Sequence, residues 1–115
     1  MEIEEKDADG VKILALTGRL DAYSANEVEK CITGLIDGGC VRLVVNLEGV
    51  EYISSSGLRV MLAALKRLRK LKGELSMACL RPYVQEVFDI AGFTQLFAIY
   101  DREADAVDRC TAAGE

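Results

Sequence analysis

The order of apolar and polar positions divides the chain into short blocks of two kinds. Residues 11–17 (Val-Lys-Ile-Leu-Ala-Leu-Thr), 41–47 (Val-Arg-Leu-Val-Val-Asn-Leu) and 96–100 are short, mostly apolar runs of strand length. Leu75, Met77 and Cys79 alternate, so 74–80 is a further strand, and residues 2–6 predict a short edge strand before an Asp9-Gly10 turn. Between these blocks the spacing becomes helical. Val28, Cys31, Ile32, Leu35 and Ile36 form one stripe, and Leu58, Met61, Leu62, Leu65 and Leu68 a second. Val84, Val87, Phe88 and Ala91 form a third.

Punctuation sets the expected boundaries. Gly18-Arg19-Leu20-Asp21 reads as a turn-like link, and Ser24 with Glu27 has the spacing of a capping box that starts the first helix. Gly38-Gly39 ends it. Glu48 to Ser56 reads as a connection into a helix over 55–71 that Gly73 closes. Pro82 suits a first helical position, Gly92 stops that third helix, and 101–112 is a terminal helix led by Asp101. Strands alternating with helices predict an α/β fold with a parallel or mixed sheet. No repeat or linker interrupts it, so one domain is expected over residues 1–115.

Composition narrows the function classes. At 115 residues with half of them hydrophobic, the chain can bury one core and is not a disordered segment. A net charge of −5 argues against a nucleic-acid binder, which needs a basic footprint. No apolar run reaches the roughly 18 residues of a membrane span. The acidic first ten residues do not resemble a signal peptide, so a cytoplasmic protein without membrane insertion is expected. There is no histidine, and Cys31, Cys40, Cys79 and Cys110 contain no C-x-x-C pair. No metal or cofactor is therefore expected, and Cys31 and Cys79 read as small core residues. Phe88, Phe93 and Phe97 read as core as well.

The unusual segment is Tyr52-Ile53-Ser54-Ser55-Ser56-Gly57-Leu58, where three serines and a glycine join a strand region to a helix. A helix N-cap accounts for one serine but does not require three. A covalent switch is the second reading, because a phosphate at a helix N-terminus meets free N–H groups and the positive end of the dipole. A nucleophilic serine is the third, and the weakest. The chain has no histidine and no G-x-S-x-G elbow, and Lys66, Lys70 and Lys72 lie toward the far end of the helix. Phosphate-loop and dinucleotide motifs are missing too, so a binding protein is expected rather than an enzyme.

Three segments in order carry a resemblance to a known family. Leu16-Thr17-Gly18-Arg19-Leu20-Asp21-Ala22 looks like the G-x-L-D turn of STAS domains, and Val44-Val45-Asn46-Leu47-Glu48-Gly49-Val50 like their central strand and exit. Residues 52–58 look like their D-S-S-G-L phosphorylation motif. The match covers roughly residues 3–110 and is most similar to the stand-alone anti-sigma factor antagonists of bacteria. It implies a single domain with a mixed, mostly parallel sheet packed with about four helices. It implies that Ser55 is phosphorylated by an anti-sigma factor with a serine-kinase fold, which the unmodified chain binds so that a sigma factor is released. A serine phosphatase would reset the switch. Asp21, Ser54, Ser56, Gly57, Leu58 and Arg59 would form the partner-binding face.

Two positions depart from the family pattern. Ser54 replaces the acid before the serine pair, and Asn46 replaces an aspartate at the strand exit, which leaves fewer negative charges expected near Ser55. Arg59 stands one turn after Ser55, placed to answer a phosphate. With Lys66, Arg67, Arg69, Lys70 and Lys72 it forms a basic cluster. That cluster reads either as a solvated face favoured by the helix dipole or as a docking surface for an acidic partner. Two other roles stay open on the resemblance: a module sensing a small anion or nucleotide at Ser54 to Leu58, and a soluble regulatory subunit of a membrane transport system. No oligomeric state follows from the sequence.

Overall fold

The apolar runs do become strands, and the helical stripes become helices laid against them. The computed structural model describes the backbone of residues 1–113 and the side chains of residues 1–110, so the last two residues of the expected domain lie outside the described residues. The elements are β1 (Glu2–Ala8), β2 (Val11–Leu20), α1 (Ala22–Asp37), β3 (Arg42–Ile53), α2 (Ser55–Lys70), β4 (Glu74–Ala78), α3 (Pro82–Ile90), β5 (Ala98–Tyr100) and α4 (Glu103–Ala113). A short 3-10 turn, Phe93–Gln95, precedes β5. Among the described residues no helix is long and apolar enough to cross a membrane.

The five strands lie side by side in chain order, β1-β2-β3-β4-β5. β1 and β2 form an antiparallel hairpin through Asp9 and Gly10, both at positive φ (52° and 82°), as a two-residue hairpin turn requires. All later neighbours are parallel. β1 occupies one edge and carries Glu2, Glu4, Glu5, Lys6 and Asp7, which discourages pairing with another strand.

Side-chain alternation supplies two cores. Leu14, Leu16, Leu43, Val45, Leu75 and Met77 point to the face covered by α1, α2 and α3, where Val28, Met61, Leu68 and Phe88 meet them. Val11, Ile13, Val44 and Ala78 point to the other face, where Ala106, Val107 and Cys110 of α4 cover them. The α/β architecture with a mixed, mostly parallel sheet and four helices is thus as expected.

The boundaries differ in informative ways. β3 does not stop at residue 47 but continues to Ile53, and β2 continues through the supposed link to Leu20. Two register shifts, between Ala15 and Thr17 and between Gly18 and Arg19, put extra residues on β3. These bulges break the period-two pattern, so a paired strand looks like a loop in the sequence. Gly49 is required there: a Cβ would stand 2.6 Å from Thr17 Oγ1 and 2.8 Å from the Leu16 carbonyl. β4 ends at Ala78, and Cys79 turns the chain at φ 62° rather than extending the strand. Helix α2 ends before Gly73, at a Leu71 cap followed by Lys72 at φ 60°. α4 begins at Glu103, two residues later than expected. Cys31 and Phe93 are half-buried at the margin of the larger core rather than inside it, whereas Phe88 and Phe97 are buried.

Candidate functional site

In a parallel sheet each strand is followed by a helix that starts at the strand's carboxyl end. β2 and β3 are adjacent, so the first turns of α1 and α2 are brought together. Ser54, directly after β3, donates its N–H to the carbonyl of Leu20 at the end of β2 (2.9 Å). That bond fastens the two helix starts to each other.

Asp21 is the N-cap of α1, and Ser24 is the third helical residue, not the cap expected from the Ser24–Glu27 spacing. Asp21 Oδ1 accepts from the Tyr23 N–H (3.1 Å) and the Ser24 N–H (2.9 Å). Ser24 Oγ accepts from the Asp21 N–H (3.0 Å) and donates to the Arg19 carbonyl (2.6 Å). The capping box is therefore Asp21–Ser24. The backbone N–H of Ser24, with its hydroxyl and the Tyr23 N–H, holds the Asp21 carboxyl below its ordinary value of 3.8. Beside it the Arg19 guanidinium lies 4.3 Å above the centre of the Tyr52 ring.

The three serines have three different surroundings. Ser54 is the N-cap of α2, and its Oγ accepts from the Gly57 N–H at 3.2 Å. Ser55 is the first helical residue and is exposed. Ser56, the second, is half-buried. The N–H groups of Ser55 and Ser56 have no carbonyl one turn earlier in the helix, so they belong to the orphan donors of a helix start. No acid occupies the first turn. Arg59 is exposed one turn on, and Leu58 is half-buried against the larger core.

Gly57 is neither a loop residue nor at positive φ. It is buried in the first turn of α2, where a Cβ would lie 2.8 Å from Leu20 Cγ and 2.9 Å from Ile53 Cγ1. Its role is close approach of the helix to the sheet. It lies inside the helix and holds no loop open.

Asp21, Ser54, Ser55, Ser56, Gly57, Leu58 and Arg59 are thus gathered on two adjoining helix starts. Asn46 is not part of this group. At about 3.3 Å per strand residue it lies on the order of 20 Å from Ser55 along β3. It donates to Glu103 Oε1 of α4 (2.9 Å) and accepts from the Glu48 N–H (2.9 Å). Replacement of an aspartate there leaves the charge around Ser55 untouched. Tyr23, absent from the expected face, is 79% exposed two residues after the Asp21 cap, and Tyr83 is 51% exposed in the first turn of α3. An aromatic two residues after a cap is the one sequence signal that could have marked Tyr23.

Among the described residues no group of three or more Cys, Asp or Glu side chains is placed to hold a metal ion. Cavities lie between α1 and α2, beside Lys12 and Cys40, and below Leu96, and none of these three is lined by residues 54–58.

Comparison with known proteins agrees with the geometry. The model of the STAS domain matches residues 2–106. A protein of Bordetella bronchiseptica provisionally named the anti-sigma factor antagonist BtrV is 39% identical over 97% of this chain and 97% of its own length. The anti-sigma F factor antagonist of Paenibacillus polymyxa is 30% identical over 93% of this chain and 92% of its own. Among solved structures, the Bacillus anti-sigma factor antagonist SpoIIAA shares the fold in its unphosphorylated form, with a TM-score of 0.81, 22% identity and coverage of 94% and 95% of the two chains. Its phosphorylated form gives a TM-score of 0.75 at 20% identity, covering 94% and 98%. The family match spans the whole sheet and both helix starts, and the chain belongs to the STAS domain family.

Proposed function

We propose that this protein is an anti-sigma factor antagonist switched at Ser55. In its unmodified state it binds an anti-sigma factor with a serine-kinase fold through Asp21, Ser54, Ser55, Ser56, Leu58 and Arg59, with buried Gly57 seating their helix on the sheet, and so frees a sigma factor. Phosphorylation of Ser55 by that partner ends the interaction, and a serine phosphatase restores it. The names of the Bordetella and Paenibacillus relatives support the antagonist role. The observation that carries the switch is the surroundings of the three hydroxyls. Ser54 is committed to capping and Ser56 is half-buried, while Ser55 is exposed on the first helical residue.

The chemistry is electrostatic. A phosphate adds about −1.5 to −2 charges at pH 7. On Ser55 it meets orphan N–H groups, the positive end of the α2 dipole and the Arg59 guanidinium, so the domain accepts it without unfolding. What changes is the charge of the contact surface, from near neutral, with Asp21 against Arg59, to negative.

The test is a capture from source-cell lysate with the unmodified chain and with Ser55→Asp, read by mass spectrometry that also reports phosphate on the recovered bait. The switch predicts that a kinase-fold anti-sigma factor is retained by the unmodified chain and lost with Ser55→Asp. Equal capture by both, with no phosphate on Ser54, Ser55 or Ser56, contradicts it.

A further inference from the structure

We infer that the outward face of α2 is a docking strip for an acidic face of the protein partner that reads Ser55. The inference rests on Ser55 being the switch and adds the chemistry of the partner's surface. Residues 55–72 hold six of the chain's 14 basic residues and none of its 19 acidic ones. At 3.6 residues per turn, Arg59, Lys66 and Lys70 fall within about 60° of Ser55 around the helix axis. All four are exposed. They form one line that runs about 22 Å down the helix from the candidate serine.

The other cations of the helix are used inside the molecule. Arg67 pairs with Asp37 of α1, and Arg69 donates to the Leu96 carbonyl at 3.0 Å. Arg59, Lys66 and Lys70 have no such partner among the described residues. The helix dipole favours Lys70 in the last turn, whereas Arg59, the fifth helical residue, and Lys66 lie outside both terminal turns and draw nothing from it. Exposed cations in line with the switch, without a partner among the described residues and unexplained by the dipole, point to a negative group outside the chain.

That group belongs to a protein. A membrane-bound helix needs apolar anchors among its cations. Here only Ala63 lies exposed in the line, while Leu58 and Leu62 pack against the core. A long polyanion such as RNA would run beyond the strip along a chain whose acidic residues all lie outside 55–72. An acidic patch on a protein matches a strip of this length in charge and extent. The strip also explains the sign of the switch. A phosphate on Ser55 neutralises most of its charge at the end nearest Arg59 and repels the same acidic face.

The experiment follows backbone amide shifts of the full chain titrated with a peptide of twelve glutamates, at low and at physiological salt. Shifts are expected at Arg59, Ala63, Lys66 and Lys70, with affinity falling as salt rises. The double variant Lys66→Glu/Lys70→Glu should bind about tenfold more weakly, and Ser55→Asp several-fold more weakly. Both variants should keep the amide spectrum of the folded chain, because they alter only exposed positions. Absent shifts, shifts confined to other surfaces, or indifference to Ser55→Asp would overturn the proposal. So would tighter binding through the same residues to a single-stranded RNA dodecamer or to phosphatidylserine vesicles. The peptide reads the strip without any kinase, and the lysate capture reads the kinase and phosphate, so either can fail alone.

Discussion

At the residue scale, the site is a matter of which hydroxyl is free. Ser54, Ser55 and Ser56 are chemically the same, and only the start of α2 tells them apart. Ser54 Oγ takes the Gly57 N–H, so Ser54→Ala should cost about 1 kcal/mol in a denaturant melt, whereas Ser54→Asp keeps the cap and should melt close to the parent chain. That cap also explains how a serine can stand where the family resemblance implies an acid: both side chains accept the same bond. Gly57 is the opposite case, a residue chosen for what it lacks. Gly57→Val would drive side-chain atoms into Leu20 and Ile53 and should destabilise the chain by about 2–3 kcal/mol. The sequence made the serine cluster conspicuous and allowed one of the three to be a cap. It could not assign the cap to Ser54, nor show that Gly57 is a contact residue, because both facts depend on Leu20 arriving from another strand.

At the scale of elements, two helix starts depend on local charges. Asp21 caps α1 with a carboxyl held below 3.8 by the N–H groups it accepts from. A lowered folded value means that its contribution is complete above the unfolded value and disappears as pH falls through the folded one. Melting temperatures of the parent chain should therefore fall below about pH 4 more steeply than those of Asp21→Asn. At the opposite face, α4 is attached by Glu103, which accepts from Asn46 at 2.9 Å and from Lys6 Nζ at 3.2 Å. Asn46→Asp would put two carboxylates in contact. It should lower stability at neutral pH by about 1 kcal/mol or more, with recovery in the double variant Asn46→Asp/Glu103→Gln. The helices were legible because their apolar stripes have a strong period. The second half of β3 was not, because its bulges at the Gly49 crossing erase the alternation that marks a strand. The Asp21–Ser24 box was missed for a similar reason, since Ser24 and Glu27 offer the same spacing three residues later.

For the whole molecule, the parallel order of β2 and β3 is what turns scattered motifs into a surface. Asp21 and Ser55 are 34 positions apart in sequence. The Ser54–Leu20 bond brings their helices to one end of the sheet, with exposed Tyr23 and the basic face of α2 beside them. The family resemblance anticipated that gathering, while the alternation of elements and the net charge alone led only to an acidic α/β domain. Charge segregation is a property at this scale too, since a chain of net charge −5 carries a wholly basic stretch beginning at the candidate switch.

The central claim is that Ser55, and neither neighbour, receives the phosphate. The most direct measurement is site mapping of phosphate after the purified chain is incubated with ATP and the kinase-fold protein it captures. Phosphate on Ser55 alone, abolished in Ser55→Ala while Ser54 and Ser56 remain, is the predicted result. Phosphate on Ser54 or Ser56, or full modification of Ser55→Ala, would contradict it.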